Sequence, residues 1–454
     1  MFEISQTLLA FIVAISLLVA VHEYGHFWVA RRLGVRVLRY SIGFGPRLFG
    51  WRRDEVDYWI SAVPLGGYVK MLDEREGAVP PEELPRAFNR QPPWKRMLIV
   101  AAGPGVNFLF AVLLYWAIFM LGVTGLKPVV GEVPAGTLAA QSGLQGGEVV
   151  LSLNDEPIVD WQQLRLGLLD SALDREAVQL EVREPQGGTR TVSLDLARIS
   201  ADPEALFKEL GLVPRRPPLP AIIGEIVPGS AAETAGMRAG DRVLALDGVA
   251  VRDWPQLVEW VSARPGAQVR IRLERAGGEL QVSARLQTVT EDGQTRGRLG
   301  AAVDVNSQMW QDLRAQYEIT VRQAPLPALA AALQETWTVS ALTLKLLGHM
   351  VTGLVSWKHV SGPIQIAEYA GVSAGFGLVA YLGFLALVSV SLGVLNLLPV
   401  PLLDGGHLLF DGVEWLRGRP LSDAAQQFGQ RVGIGLLAAL MTLALYNDIA
   451  RLLS

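Results

Sequence analysis

Cysteine is absent from the 454-residue sequence, and histidine occurs only five times. The first absence excludes disulfides, thiolate metal sites and cysteine nucleophiles, so any metal must be held by His, Asp or Glu. The second makes the search for such a site short. Charge is sparse as well, at 19% of residues, with forty Lys or Arg against forty-four Asp or Glu. A net charge of −4 leaves no basic surplus to displace counterions from a nucleic-acid backbone, and no nucleic-acid partner is expected. Hydrophobic residues make up 50% of the chain, which excludes a disordered or collagen-like protein.

Those apolar residues are concentrated. Four stretches, near 8–30, 98–122, 378–398 and 432–453, reach the roughly 20 helical residues that a bilayer core requires. No basic residue precedes the first stretch and no small-residue cleavage site follows it, so it reads as a retained span rather than a leader. Thirteen Lys or Arg lie from Arg31 to Arg96 and none before the first span. This asymmetry predicts a cytoplasmic loop there, and it puts the long segment from about Thr124 to Gly377 on the opposite side. A further stretch, 328–355, is interrupted by Gln334, Glu335, Lys345 and His349 at spacings that leave one apolar stripe. It is expected to be an amphipathic helix at the membrane surface, not a fifth span.

The opposite-side segment repeats itself. The run from Gly131 to Trp161 aligns without a gap on the run from Gly224 to Trp254. Each copy offers a short β-branched strand, a small-residue helix, a Gly turn and an alternating strand. In the second copy, AETAGMRAGD from Ala232 to Asp241 resembles the A-x-x-A-G-hydrophobic-x-x-G-D run of circularly permuted bacterial PDZ domains; the first copy departs with Ser142 and Glu148. PDZ domains hold a peptide's terminal carboxylate on backbone amides of a Gly-containing loop. The candidate loops are Leu210-Gly211-Leu212 and Leu299-Gly300-Ala301, with ordinary strand starts in spacer domains as the alternative. The Pro-rich run 214–220 reads as a stiff linker.

Inside the first span stands His22-Glu23-Tyr24-Gly25-His26, an H-E-x-x-H pattern. Two histidines four apart on a helix share a face and can bind one metal ion, while Glu23 beside them can take a proton from an attacking water. Zinc catalysis needs a third protein ligand and an open position. The third span supplies a candidate at its end, Asn396-Leu397-Leu398-Pro399-Val400-Pro401-Leu402-Leu403-Asp404. Pro399 and Pro401 stop the helix, and Asp404 follows the break; His407 competes as third ligand. Depth agrees: from Leu8 to His22 is about 21 Å and from Leu378 to Asn396 about 27 Å at helical rise, so both polar sites arrive on the same side of the core.

HEYGH in a first span, Ala102-Gly103-Pro104-Gly105-Val106-Asn107 in a second and NLLPVPLLDGG at the end of a third together resemble the site-2 protease family of intramembrane zinc metalloproteases. The two PDZ-like copies narrow the resemblance to the branch that regulates sigma-E. The resemblance implies Zn²⁺ held by His22, His26 and Asp404, Glu23 as general base, and Asn396 placing the substrate or its oxyanion. It further implies that Gly43-Phe44-Gly45 and Pro64-Leu65-Gly66-Gly67-Tyr68 belong to a membrane re-entrant β-hairpin that binds substrate, against the alternative of a surface hairpin whose glycines serve turns. Substrates would be single-span membrane proteins, notably anti-sigma factors trimmed beforehand by another protease, and remnant signal peptides. Ser361-Gly362-Pro363-Ile364 occurs as it does in this branch, and helix termination is the only role its residues suggest.

The expected architecture is an α-helical membrane protein with four transmembrane helices, a re-entrant β-hairpin and two tandem periplasmic PDZ-like β-rich domains, embedded with lipid in a bacterial inner membrane as a monomer. Its expected segments are 1–30 (first span), 31–97 (cytoplasmic loop), 98–123 (second span), 127–215 and 221–305 (PDZ-like domains), 310–374 (periplasmic amphipathic helices), 376–404 (third span), 405–428 (cytoplasmic loop) and 429–454 (fourth span). The PDZ pair is expected to gate substrates sterically. Rival readings are a PDZ-bearing membrane scaffold or chaperone with an inactive site, and a zinc or proton transporter. Neither accounts for a base next to both histidines.

Overall fold

The computed structural model describes residues 2–453 apart from Ala201, Asp292 and Gly293. The chain forms two units, one of Met1–Val123, Ala201–Pro203 and Val321–Ser454, the other of Thr124–Ser200 and Glu204–Thr320.

The first unit contains helices α1 (Phe2–Arg32), α2 (Pro93–Leu121), α3 (Pro325–Val351), α4 (Pro363–Gly375), α5 (Leu378–Leu397), α6 (Asp404–Arg417) and α7 (Asp423–Leu453). Among the described residues, four of them, α1, α2, α5 and α7, are long and apolar enough to cross a membrane. Small residues let them pack: Ala14 and Leu18 of α1, Ala111 and Leu114 of α2 and Ala386 and Val390 of α5 form one buried cluster. Ala332 and Val339 of α3 join it, while Leu326, Leu333, Trp337, Leu344 and Val351 form an exposed stripe on the same helix. α3 thus buries one apolar face and leaves a second apolar stripe exposed, where the sequence pattern predicts a single stripe.

Between α1 and α2 lie β1 (Val37–Arg53) and β2 (Val56–Met71). They are more than a plain hairpin. Residues 39–42 of β1 pair with 57–60 of β2 and again with 67–70, while 47–53 pair with 56–61. Each arm therefore bends back, β1 at Gly43 (φ +91°) and Gly45 (φ +85°), β2 at Gly66 (φ +129°). These positive φ values explain glycine at the bends. The ladder's two outer strands are 47–53 and 67–71.

The Ser361-Gly362-Pro363 run acquires a physical role. Asp448, fully buried in α7, accepts hydrogen bonds from the backbone N–H groups of Gly362 at 3.2 Å, Ile364 at 2.9 Å and Gln365 at 3.4 Å. It caps α4 from another helix, and Pro363 at N1 has no N–H to satisfy. A Cβ on residue 362 would lie 2.3 Å from Asp448 Oδ2, so only glycine admits the carboxylate.

In the second unit the two sequence copies fold alike. Strands Val149–Leu153, Glu156–Pro157, Ala177–Arg183 and Thr189–Asp195 form one antiparallel sheet, and Arg242–Leu246, Val249–Ala250, Gln268–Arg275 and Gly278–Arg285 form another with the same strand order. Equivalent residues do equivalent work. Asp160 and Asp253 cap helices Trp161–Leu173 and Trp254–Ser262. Glu148 and Asp241, both buried, accept from Arg190 and Arg275 at 2.6 and 2.7 Å. The glutamate in place of aspartate thus preserves the same ion pair.

Candidate metal centre

α1 carries His22 and His26 one turn apart. After α5 ends at Leu397, Pro399 and Pro401 prevent its continuation, Leu402 takes φ +91°, and the chain restarts as α6 at Asp404. This reversal delivers the Asp404 carboxylate to the two imidazoles. Its Oδ2 lies 3.2 Å from His22 Nε2 and 3.5 Å from His26 Nε2, and the two Nε2 atoms are 3.2 Å apart. The edge of a tetrahedron with zinc–ligand bonds of 2.0–2.1 Å is about 3.3 Å, so the three donors fit three corners around a zinc ion. Asp404 Oδ2 is moreover buried without a hydrogen-bond partner, which a cation would supply. His407 stands near but is not one of these three converging donors.

A cleft of about 470 Å³ opens onto this triangle. Glu23, Asn396 and Tyr68 line it with the three candidate ligands, as do His407, Asp73 and Arg75. Strand 67–71 runs along it: a Cβ at Gly67 would lie 3.3 Å from Glu23 Cγ, and Val69 and Met71 line the wall. Tyr68 is fixed by Arg39, which donates to its hydroxyl at 3.1 Å while lying 3.3 Å over the Trp59 ring. Gly43, Gly45 and Gly66 shape the bends and do not line the cleft. Leu299 and Gly300 belong to the other unit, where their carbonyls accept from Ala232 and Val227 in the second repeat.

α6 is held from α2. The Arg96 guanidinium lies 3.1 Å from Asp411 and 2.6 Å from Glu414. Burial pushes the Asp411 carboxyl up to about 6 despite the pull of Arg96.

The run Ala102 to Asn107 does more than its resemblance to a family motif reveals. Residue 103 must be glycine because both imidazoles rest on it, and Gly25 abuts the Ala102 carbonyl, so α1 and α2 are in near-backbone contact at the site. Asn107, with no solvent exposure, places Nδ2 3.1 Å from His22 Nδ1. Its advance signals were its place in that motif and its polarity within an apolar span.

A family model described as peptidase family M50 matches residues 10–440. The chain is 40% identical over 457 residues to the regulator of sigma-E protease RseP of Salmonella typhimurium, covering 100% of both chains. It is 41% identical over 450 residues to the regulator of sigma-E protease RseP of Escherichia coli K12, covering 98% of both. A protein of Neisseria meningitidis serogroup A, named as a zinc metalloprotease, is 42% identical over 452 residues, covering 99% of this chain and all of that one. An H-E-x-x-H helix, a span broken just before an aspartate and full-length likeness to such proteases converge on one conclusion: the chain belongs to peptidase family M50, the site-2 protease family, and is an intramembrane zinc metalloprotease.

Proposed function

We propose that the enzyme cleaves single-span membrane proteins, with His22, His26 and Asp404 holding zinc, Glu23 as general base and Asn396 placing the scissile carbonyl. The observation that supports this most is the meeting of α1 and α6 donors in one triangle of zinc-like dimensions. When bound, zinc supplies a Lewis acid and makes water nucleophilic near neutral pH. Glu23 takes a proton from the attacking water on its carboxylate and returns it to the leaving amine. Asn396 donates from Nδ2 to the oxygen that gains charge as the carbonyl becomes tetrahedral.

A transmembrane helix must unwind before its peptide bond is accessible. Strand 67–71, an outer strand beside Glu23, offers backbone groups onto which the unwound segment adds as a further strand, with Tyr68 bracing it. The sigma-E regulators among the relatives favour an anti-sigma factor, trimmed beforehand, as substrate. The protein resides in the inner membrane as a monomer, with β1 and β2 re-entering from the cytoplasmic side. The PDZ-like repeats are periplasmic and reject untrimmed ectodomains sterically.

The test uses purified protein and a model single-span substrate. Glu23→Gln should keep about one zinc and lose cleavage by roughly 10²–10⁴-fold; near-parent cleavage removes Glu23 from its role. Asp404→Ala should lose both metal and activity. Full zinc in Asp404→Ala with loss in His407→Ala would reassign the third ligand.

A further inference from the structure

A neutral imidazole that offers Nε2 to a metal carries its proton on Nδ1, and inside an apolar bundle that N–H requires an acceptor. His26 has one, since its Nδ1 lies 2.9 Å from the Ile99 carbonyl, which can only accept. His22 Nδ1 instead faces Asn107 Nδ2. In that orientation the amide donates, the proton moves to His22 Nε2, and the lone pair a metal needs is lost. The same orientation leaves Asn107 Oδ1 buried with no partner. The two ends of an amide are nearly the same size, so a half-turn about its last bond exchanges them in place.

We propose that Asn107 is the positioning residue of His22: with zinc bound, its Oδ1 accepts from Nδ1–H and fixes both the tautomer and the ring's direction. The proposal rests on the reading of His22, His26 and Asp404 as ligands. Asn107 is well placed to hold a ring still. It lies one helical turn beyond Gly103, on which both imidazoles rest, and its own carbonyl accepts from Ser389 Oγ of α5 at 2.8 Å. One residue thus ties the histidine helix to the helix that leads to Asn396 and Asp404. The amide is two-sided: it donates to His22 when Nε2 is protonated and accepts when Nε2 is bare.

The test is zinc affinity of the full chain, by competition with a chromogenic chelator, in the parent, Asn107→Leu and Asn107→Asp. Leucine fills the space without an acceptor and should weaken zinc about 10–100-fold. Aspartate keeps an acceptor oxygen and should hold near the parent value, a rescue that packing alone does not explain. Parent-like affinity in Asn107→Leu overturns the proposal, as does an equal loss in both variants with unchanged melting of the metal-free chains. Should the leucine variant not fold, ¹⁵N-histidine spectra of the zinc-loaded parent decide: His22 protonated on Nδ1 supports the assignment, and any other tautomer overturns it. A parent chain that binds no zinc refutes the ligand set itself and takes the proposal with it.

Discussion

Gly103 faces His26 so closely that a Cβ there would lie 2.2 Å from His26 Nε2 and 2.9 Å from His22 Cε1. Gly103→Ala must therefore push both rings off their common focus, and zinc affinity should fall about tenfold or more. Gly105→Ala, two residues on and facing open space, is the control and should bind as the parent does. Chelator competition measures both; equal affinities would show that the rings yield at no cost.

Asp241 gives the repeats a pH dependence. Burial works to raise its pKa, but hydrogen bonds from Arg275 and from the Arg238 backbone outweigh it and hold the carboxyl below its usual range. A lowered folded-state pKa gives stability that is present above the unfolded value, about 4, and lost as pH falls through the folded one. Asp241→Asn should cost the second repeat about 2–3 kcal/mol at pH 7 and less at pH 3, below the unfolded value. Calorimetry at the two pH values checks this, and a pH-independent cost would contradict it.

Asp448→Ala removes three acceptor contacts from the start of α4. An N-cap is worth about 1–2 kcal/mol, so the amides of 362 and 364–366 should exchange hydrogen roughly tenfold faster in the variant. Because Gly371 of α4 packs against Thr7 of α1, the N-terminal part of α1 should loosen too. Unchanged exchange at Ile364 would deny the cap its role.

The absence of cysteine makes topology directly measurable. Arg52→Cys should react with an impermeant maleimide only after the inner membrane is opened, whereas Gln145→Cys and Arg238→Cys should react once the outer membrane alone is permeable. Labelling of Gln145→Cys only from the cytoplasm would reverse the charge-based orientation.

Much of this molecule was legible in its sequence because its strongest signals are physical extremes. Long apolar runs read as spans, two histidines four apart inside one of them read as neighbours on one face, and two prolines before Asp404 read as a break. The internal repeat was legible from the ungapped alignment of 131–161 on 224–254, and its last matched aspartates, Asp160 and Asp253, occupy matching caps. Legibility ended where pairing was not local. Gly43 and Gly66 were expected in a substrate-binding hairpin, with turns as the alternative; they serve bends that let residues 39–42 pair on both sides, a ladder that alternation along one strand does not encode. Asp448 and Ser361-Gly362-Pro363 carried no visible link, since a carboxylate capping a helix from another segment leaves no spacing rule.

The cap formed by Asp448 also orders events in time. During synthesis, His22, Glu23 and His26 are made first, and Asp404 follows only after both repeats. Even then α4 has no partner for its first amides until α7 has been inserted far enough to present Asp448. A nascent chain stalled in its final span thus holds every candidate catalytic residue but an uncapped α4, so a finished protease is distinguished from an unfinished one by a residue remote from the chemistry.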